Sequence, residues 1–187
     1  MSFSLFPIKN FPNEIFASLF SIIFLIILIT ELNLLKRTNK KTKNKKDFLI
    51  TIAGIILPTA VAIILSFSNL GEIDTKFSYL GIIFLISGFI LRQVSIKILG
   101  KFFVPTIEKQ KGQKIIQNGP YKYIRHPSYT GLFMELCGFA LSISNWISLL
   151  SVFIISLPAI SYRIKNEENF LSKNLKGYSE YMKKTKK

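Results

Sequence analysis

The chain holds one cysteine, Cys137, so no disulfide framework is open to it. It holds one histidine, His126, which leaves no clustered His/Cys set of the kind that binds a metal, and no metal site is expected. No Ser/His/Asp arrangement, phosphate-binding loop or GxGxxG fingerprint is present, which removes the commonest hydrolase and nucleotide-binding chemistries. Acidic residues are scarce: 10 Asp+Glu stand against 25 Lys+Arg, a formal charge of +15 over 187 residues. What is abundant is apolar. Hydrophobic residues make up 49% of the chain, which excludes disorder. Mean hydropathy is +0.37, high because Phe and Ile are gathered into long uncharged runs. Several of these runs are long enough to cross a bilayer, so a soluble single-core domain is excluded. A pI near 9.9 suggests nucleic acid, but the positive charge flanks the apolar runs, and no nucleic-acid partner is expected.

The first run, 15–35, carries only Glu31 near its end. About 20 residues at 1.5 Å each cross a core of roughly 30 Å, so it suffices as a span. It lacks a basic segment before it and a small-residue cleavage site after it, and reads as a retained span rather than a signal peptide. A basic loop, 36–47, follows, with seven basic residues. The second span is 48–70, with Pro58 near its middle expected to kink it. The third is 77–99, ending in Arg92 and Lys97, whose long stems are expected to reach for the interface. The last apolar region, 128–162, is too long for one crossing, and Ser144-Asn145 at its centre supplies turn chemistry. It reads as two short helices in a hairpin, with a charged tail, 163–187, that starts as a helix. The expected fold is thus all-α and polytopic, with about five transmembrane helices. An N-terminal part, 1–76, holds helices 1 and 2 with the basic loop, and a functional part, 77–187, holds helices 3–5 and the tail.

Charge orients this arrangement. Loops 36–47, 100–127 and 163–187 hold 7, 6 and 8 of the 25 Lys+Arg, whereas the N-terminal arm and loop 71–76 hold Lys9 and Lys76 alone. The positive-inside rule places the three rich loops in the cytoplasm and the N-terminus outside. The short N-terminus and the Lys/Ile/Asn-heavy composition point to a prokaryotic cell membrane. Oligomeric state is not written in these features.

Polar chemistry concentrates in two cytosolic segments, Gly119–Gly131 (GPYKYIRHPSYTG) and Arg163 onward (RIKNEE, then Gly177-Tyr178 and Tyr181). A hairpin between them returns the chain to its starting side and makes them neighbours. Pro127 biases His126 away from helical backbone and suits the first position of the next helix, whose free N–H groups bind anions. Tyr, Arg and His at this level also suit a plain membrane-interface belt. Arg163 and Glu167 are four apart and share a helix face, as in an ordinary surface ion pair, and Glu168 points elsewhere, toward solvent on a straight solvated helix. The same residues can instead divide labour, carboxylate to a cationic or hydroxyl-rich ligand and guanidinium to an anionic one.

The stretch GPYKYIRHPSYTG, a hydrophobic hairpin, then RIKNEENFLSKNLKGYSEYMKK resembles the C-terminal module of the isoprenylcysteine carboxyl methyltransferase family, a group that extends to phospholipid N-methyltransferases. The resemblance runs from about Leu91 to Lys187 and includes LGKFF, Leu99 to Phe103. It implies a helical membrane enzyme with a cytosolic site that moves a methyl group from S-adenosylmethionine to a lipophilic acceptor. By the same resemblance Tyr121, His126, Pro127, Ser128 and Tyr129 line the cofactor pocket, as do Gln113, Lys114, Ile115 and Ile116. Glu167 binds the cofactor and Arg163 faces the acceptor, and Arg163, Glu167 and Glu168 form the catalytic set. The chain departs from the family at Gln113, where a His is common, and at Thr106, where some members carry a Gln. A prenylcysteine-type carboxylate is favoured as acceptor and needs no general base. A phospholipid amine has to lose a proton, with Glu168 or a tyrosine available to help. Nicotinamide-dependent membrane sterol reductases share a similar module in longer chains, and a non-catalytic membrane scaffold is the remaining alternative.

Overall fold

The computed structural model describes residues 4–35 and 45–186. Residues 36–44 of the expected basic loop lie outside the described residues. Among the described residues the regular structure is helical, apart from two isolated β-bridges. The long helices are α1 (Glu14–Leu35), α2 (Lys45–Ser66), α3 (Phe77–Leu99) and α4 (Pro127–Ser142). Then α5 (Trp146–Ser151) continues through one π-helical turn (Val152–Ser156) into α6 (Leu157–Asn174), and α7 (Tyr178–Lys184) closes the chain.

Among the described residues four helical stretches are long and apolar enough to cross a membrane: α1, α2, α3 and the continuous run Trp146–Asn174. The fifth element of the expected five, α4, has 16 residues and falls short of a full crossing on its own. The expected two short arms are therefore unequal. The second runs without a break into the helix expected at the start of the tail, because Arg163, Lys165 and the acidic pair after them are good helix formers and carry it on to Asn174. The turn between the arms contains Ser144 at φ 52° and Asn145, whose side-chain oxygen accepts from the Ser148 N–H and caps α5.

Two prolines explain local backbone events. Pro58 sits inside α2 and has no N–H to give the carbonyl of Gly54. The Ser156 hydroxyl donates to that carbonyl at 2.7 Å instead, tying α2 to the π turn. The absent side chain of Gly54 is what admits this contact, since a Cβ there would sit 2.6 Å from Cβ of Ala159. Pro158 comes two residues after the end of the wide π turn, in the first turn of α6, where the missing donor is accommodated.

Close packing of α3 on α4 rests on two pairs of glycines, each pair seven residues apart. A Cβ on Gly81 would lie 2.3 Å from the Ser142 nitrogen, and one on Gly138 2.3 Å from the Leu85 nitrogen. Gly88 and Gly131 meet each other's carbonyls in the same way. Small residues let backbones approach where lipid supplies no hydrophobic drive. Gly138→Leu is expected to destabilise the fold by about 1–3 kcal/mol or more through overpacking; a lowered thermal midpoint in detergent is the check.

Arg92 does not reach for the interface. It turns inward, its Nε and Nη2 donating to Glu31 at 2.6 and 2.7 Å and its Nη1 to the Ser128 carbonyl. The reason is Glu31 itself: an apolar span with one carboxylate needs a partner, and a forked guanidinium one helix away supplies it. This pair joins α1 to α3 and α4. At the opposite end Lys9 donates to the Ser68 carbonyl, Asn69 and Glu72, sealing the N-terminal arm over the α2–α3 turn. Phe6 and Phe11 from that arm enter the core with Phe20, Leu85 and Phe139. Cys137 packs in a second apolar cluster with Leu136, Ala140 and Val152.

Candidate active site

The two polar segments do come together. Gly119 takes φ 57° and opens a short 3-10 turn over Gly119–Lys122, which buries Tyr121. His126 sits outside helical backbone at φ −126°, and Pro127 begins α4 as expected for a residue pair of this kind. The segment Tyr123–Arg125 then pairs with the far C-terminus: Arg125 N–H donates to the Lys186 carbonyl and Lys186 N–H to the Tyr123 carbonyl. Tyr181 donates to the Tyr121 carbonyl at 2.7 Å. The tail after α6 is thus folded back against the loop that precedes α4.

Between these pieces lies a cleft of about 690 Å³, counted with its open mouth. Of the residues expected for the cofactor pocket, Gln113, Lys114, Ile115, Ile116, Tyr121, His126, Ser128, Tyr129 and Glu167 line it. Pro127 does not; it serves as the first residue of α4. Arg163 and Glu168 do not line it either. Residues not assigned from sequence complete the wall: Leu99, Phe102, Phe103 and Val104 on one side, Arg125, Leu171, Leu175, Tyr178 and Tyr181 on the other. Leu171 and Leu175 follow Glu167 at four-residue steps, a signal that helical periodicity carries. Burial pushes the phenols of Tyr121 and Tyr178 well above their usual range, with Glu167 adding to both, so each stays a protonated donor.

Arg163 and Glu167 are not a surface ion pair. Arg163 is 2% exposed, and Tyr129 stands between the two. The Tyr129 hydroxyl donates to Glu167 Oε2 at 2.8 Å and accepts from Arg163 Nε at 3.0 Å. Arg163 Nη2 donates to the Pro105 carbonyl at 2.9 Å. Tyr129 thereby links a carboxylate on the cleft wall to a guanidinium just behind it. Nor is Glu168 solvent-exposed. Its Oε1 accepts from Arg125 Nε at 2.8 Å and lies 3.1 Å from His126 Nε2. Arg125 Nη1 reaches on to the carbonyls of Met182 and Thr185, so Glu168 and Arg125 hold the tail in place. Partners from outside α6, Tyr129 for Glu167 and Arg125 with His126 for Glu168, put both glutamates to use, which a solvated helix face does not. Among the described residues no three of His, Cys, Asp and Glu gather as metal ligands.

The comparisons with known proteins fall on this same part of the chain. Residues 81–173 match the isoprenylcysteine carboxyl methyltransferase (ICMT) family. The match starts at 81 rather than 91 and ends before Tyr178 and Tyr181. A protein-S-isoprenylcysteine O-methyltransferase of Dictyostelium discoideum is 32% identical over 108 residues, 56% of this chain and 46% of that one. A probable protein-S-isoprenylcysteine O-methyltransferase of Oryza sativa subsp. indica is 30% identical over 110 residues, 57% of this chain and 58% of that one. The chain spans about half the length of these curated relatives. In fold it is similar to the eukaryotic intramembrane Ras methyltransferase ICMT, with a TM-score of 0.55 and 23% identity over 79% of this chain and 52% of that one. From residue 81 to residue 173, through most of the cleft and the glutamates at and behind its wall, the chain is similar to the isoprenylcysteine carboxyl methyltransferase family.

Proposed function

We propose that the chain is an integral membrane methyltransferase that moves a methyl group from S-adenosylmethionine to the carboxylate of a lipophilic acceptor of the prenylcysteine type. The observation that carries this reading is the Tyr129 link. It joins Glu167, on the cleft wall, to a buried guanidinium that does not line the cleft. In this reading a carboxylate for the cofactor and a guanidinium for the acceptor stand on two sides of one hydroxyl.

The cleft suits the cofactor in its donor set. Glu167 provides a carboxylate for the ribose hydroxyls or the amino group. The first turn of α4, presenting Ser128, with Arg125 and His126 beside it, provides the positive end for its carboxylate. Phe102, Phe103, Leu171 and Leu175 wall the apolar part. When bound there, the cofactor supplies an electrophilic methyl group. This chain's share is to bind, orient and exclude water. Arg163 orients an acceptor carboxylate, which is already ionised and needs no base, and Tyr129 holds Arg163 and Glu167 in register. Glu168 acts on the other side, fixing His126 and the closing tail. In this reading residues 77–187 form the functional unit, the site faces the cytosol and the N-terminus lies outside. The loop charges support that orientation, and the Lys/Ile/Asn-rich composition supports a prokaryotic cell membrane.

The test is methyl transfer from labelled S-adenosylmethionine in detergent or vesicles. A prenylcysteine acceptor is expected to yield a base-labile methyl ester. Label that survives base and resides in a phospholipid amine overturns the carboxyl reading.

A further inference from the structure

The Glu31–Arg92 pair ends on the cleft. Arg92 is 7% exposed, and its guanidinium is used in two directions. Nε and Nη2 donate to the two Glu31 oxygens of α1 at 2.6 and 2.7 Å, and Nη1 donates to the Ser128 carbonyl in the first turn of α4 at 3.1 Å. That carbonyl belongs to the peptide joining Ser128 to Tyr129, and both residues line the cleft. The Tyr129 hydroxyl in turn links Glu167 to Arg163. The two backbones are pressed together at this point: a Cβ on Gly131 would lie 2.8 Å from the Arg92 nitrogen. Nearer its start α1 meets α3 and α4 through rings, Phe16 on Tyr79 and both Phe20 and Phe24 on Phe139.

A buried ion pair is a poor device for stability alone. The desolvation of two charges can offset or exceed their attraction, and apolar residues of the same volume often serve as well. What the planar fork adds is aim. A guanidinium fixed side-on by a carboxylate presents its remaining nitrogen in one direction only. Here that direction is the Ser128 carbonyl. The first turn of α4 is also the positive end that the cofactor carboxylate meets in the methyltransferase reading. We propose that Glu31 and Arg92 are positioning residues for the cofactor. Together they set the Ser128–Tyr129 peptide, and with it the edge of the cleft that S-adenosylmethionine meets. The proposal rests on the methyltransferase reading. Glu31 lies before residue 81, so this control comes from a helix that the family match does not reach.

The test is S-adenosylmethionine binding and steady-state kinetics in Arg92→Lys, Glu31→Gln and Phe20→Leu. A lysine keeps the charge for Glu31 but has no second arm for the Ser128 carbonyl. A glutamine has no charge and offers one carbonyl to two nitrogens. Phe20→Leu loosens α1 in its apolar core without touching the pair, and so controls for lost packing. The two charge variants are expected to raise the Kd and KM for S-adenosylmethionine by about 3-fold to 30-fold, with kcat at saturating cofactor little changed. Phe20→Leu is expected to lower the thermal midpoint in detergent and leave that Kd unchanged. Hydrogen exchange reads the same link in wild type, with no variant to fold. By reciprocity, S-adenosylmethionine is expected to slow amide exchange around Glu31 more than around Phe16 at the other end of α1. An unchanged Kd in Arg92→Lys, a loss confined to kcat, an equal loss of affinity in Phe20→Leu, or no such slowing around Glu31 overturns the proposal and leaves the cofactor reading standing. Folded wild type that binds no S-adenosylmethionine overturns both.

Discussion

Arg163→Lys is expected to lower kcat/KM for the acceptor by about 100-fold or more while leaving S-adenosylmethionine affinity within a few-fold of wild type. A lysine keeps the charge but loses the fork. In the native chain that fork spans the Tyr129 hydroxyl and the Pro105 carbonyl with a third nitrogen in reserve. A lysine ammonium cannot hold all three directions at once, so the acceptor carboxylate is bound without being aimed. Losing one charge-assisted, oriented contact in a dry site is worth about 2.7–4 kcal/mol, which is about 100-fold to 1,000-fold in rate. The measurement is steady-state kinetics beside cofactor binding. A lysine variant that loses cofactor affinity in step with activity places Arg163 in the cofactor site instead.

Glu167→Gln has the converse signature. The glutamine carbonyl still accepts from Tyr129, so the link to Arg163 and the fold survive. What disappears is the negative charge on the cleft wall. A hydrogen bond to a charged group contributes about 1.5–3 kcal/mol, so cofactor affinity is expected to fall by about 10-fold to 100-fold. Acceptor KM is expected to change little. Unaltered cofactor affinity in Glu167→Gln removes Glu167 from the cofactor site.

The membrane helices were legible because hydropathy is local. The run 77–99 and α3 coincide, and α1 begins one residue before the run that announced it. What a single-strand reading does not see is partnership across helices. Arg92 reads as an interface anchor by its position near a span's end, and only the meeting of α1 and α3 shows that Glu31 claims it. Arg163 and Glu167 read as a pair by their spacing, yet the hydroxyl between them comes from α4, 34 residues earlier than Arg163. Glu168 looks idle on a helical wheel because its partners, Arg125 and His126, are more than 40 positions away. The cleft's expected lining was legible where a motif fixed it, at His126, Ser128, Tyr129 and Glu167. Tyr178 and Tyr181 close the cleft because Lys186 pairs beside Ile124, a contact of long sequence separation with no local pattern to announce it. The expected helical start of the charged tail does appear, as a direct continuation of the second arm to Asn174: charge at 163–168 marks a membrane exit, but it does not end a helix.

The most direct test of the account is calorimetric titration of S-adenosylmethionine into the detergent-purified chain, beside Glu167→Ala. The account predicts binding on the order of micromolar by wild type, as for a working methyl donor, and its loss in the variant. Folded wild-type protein that takes up no S-adenosylmethionine, or a variant that binds it as well as wild type, contradicts it.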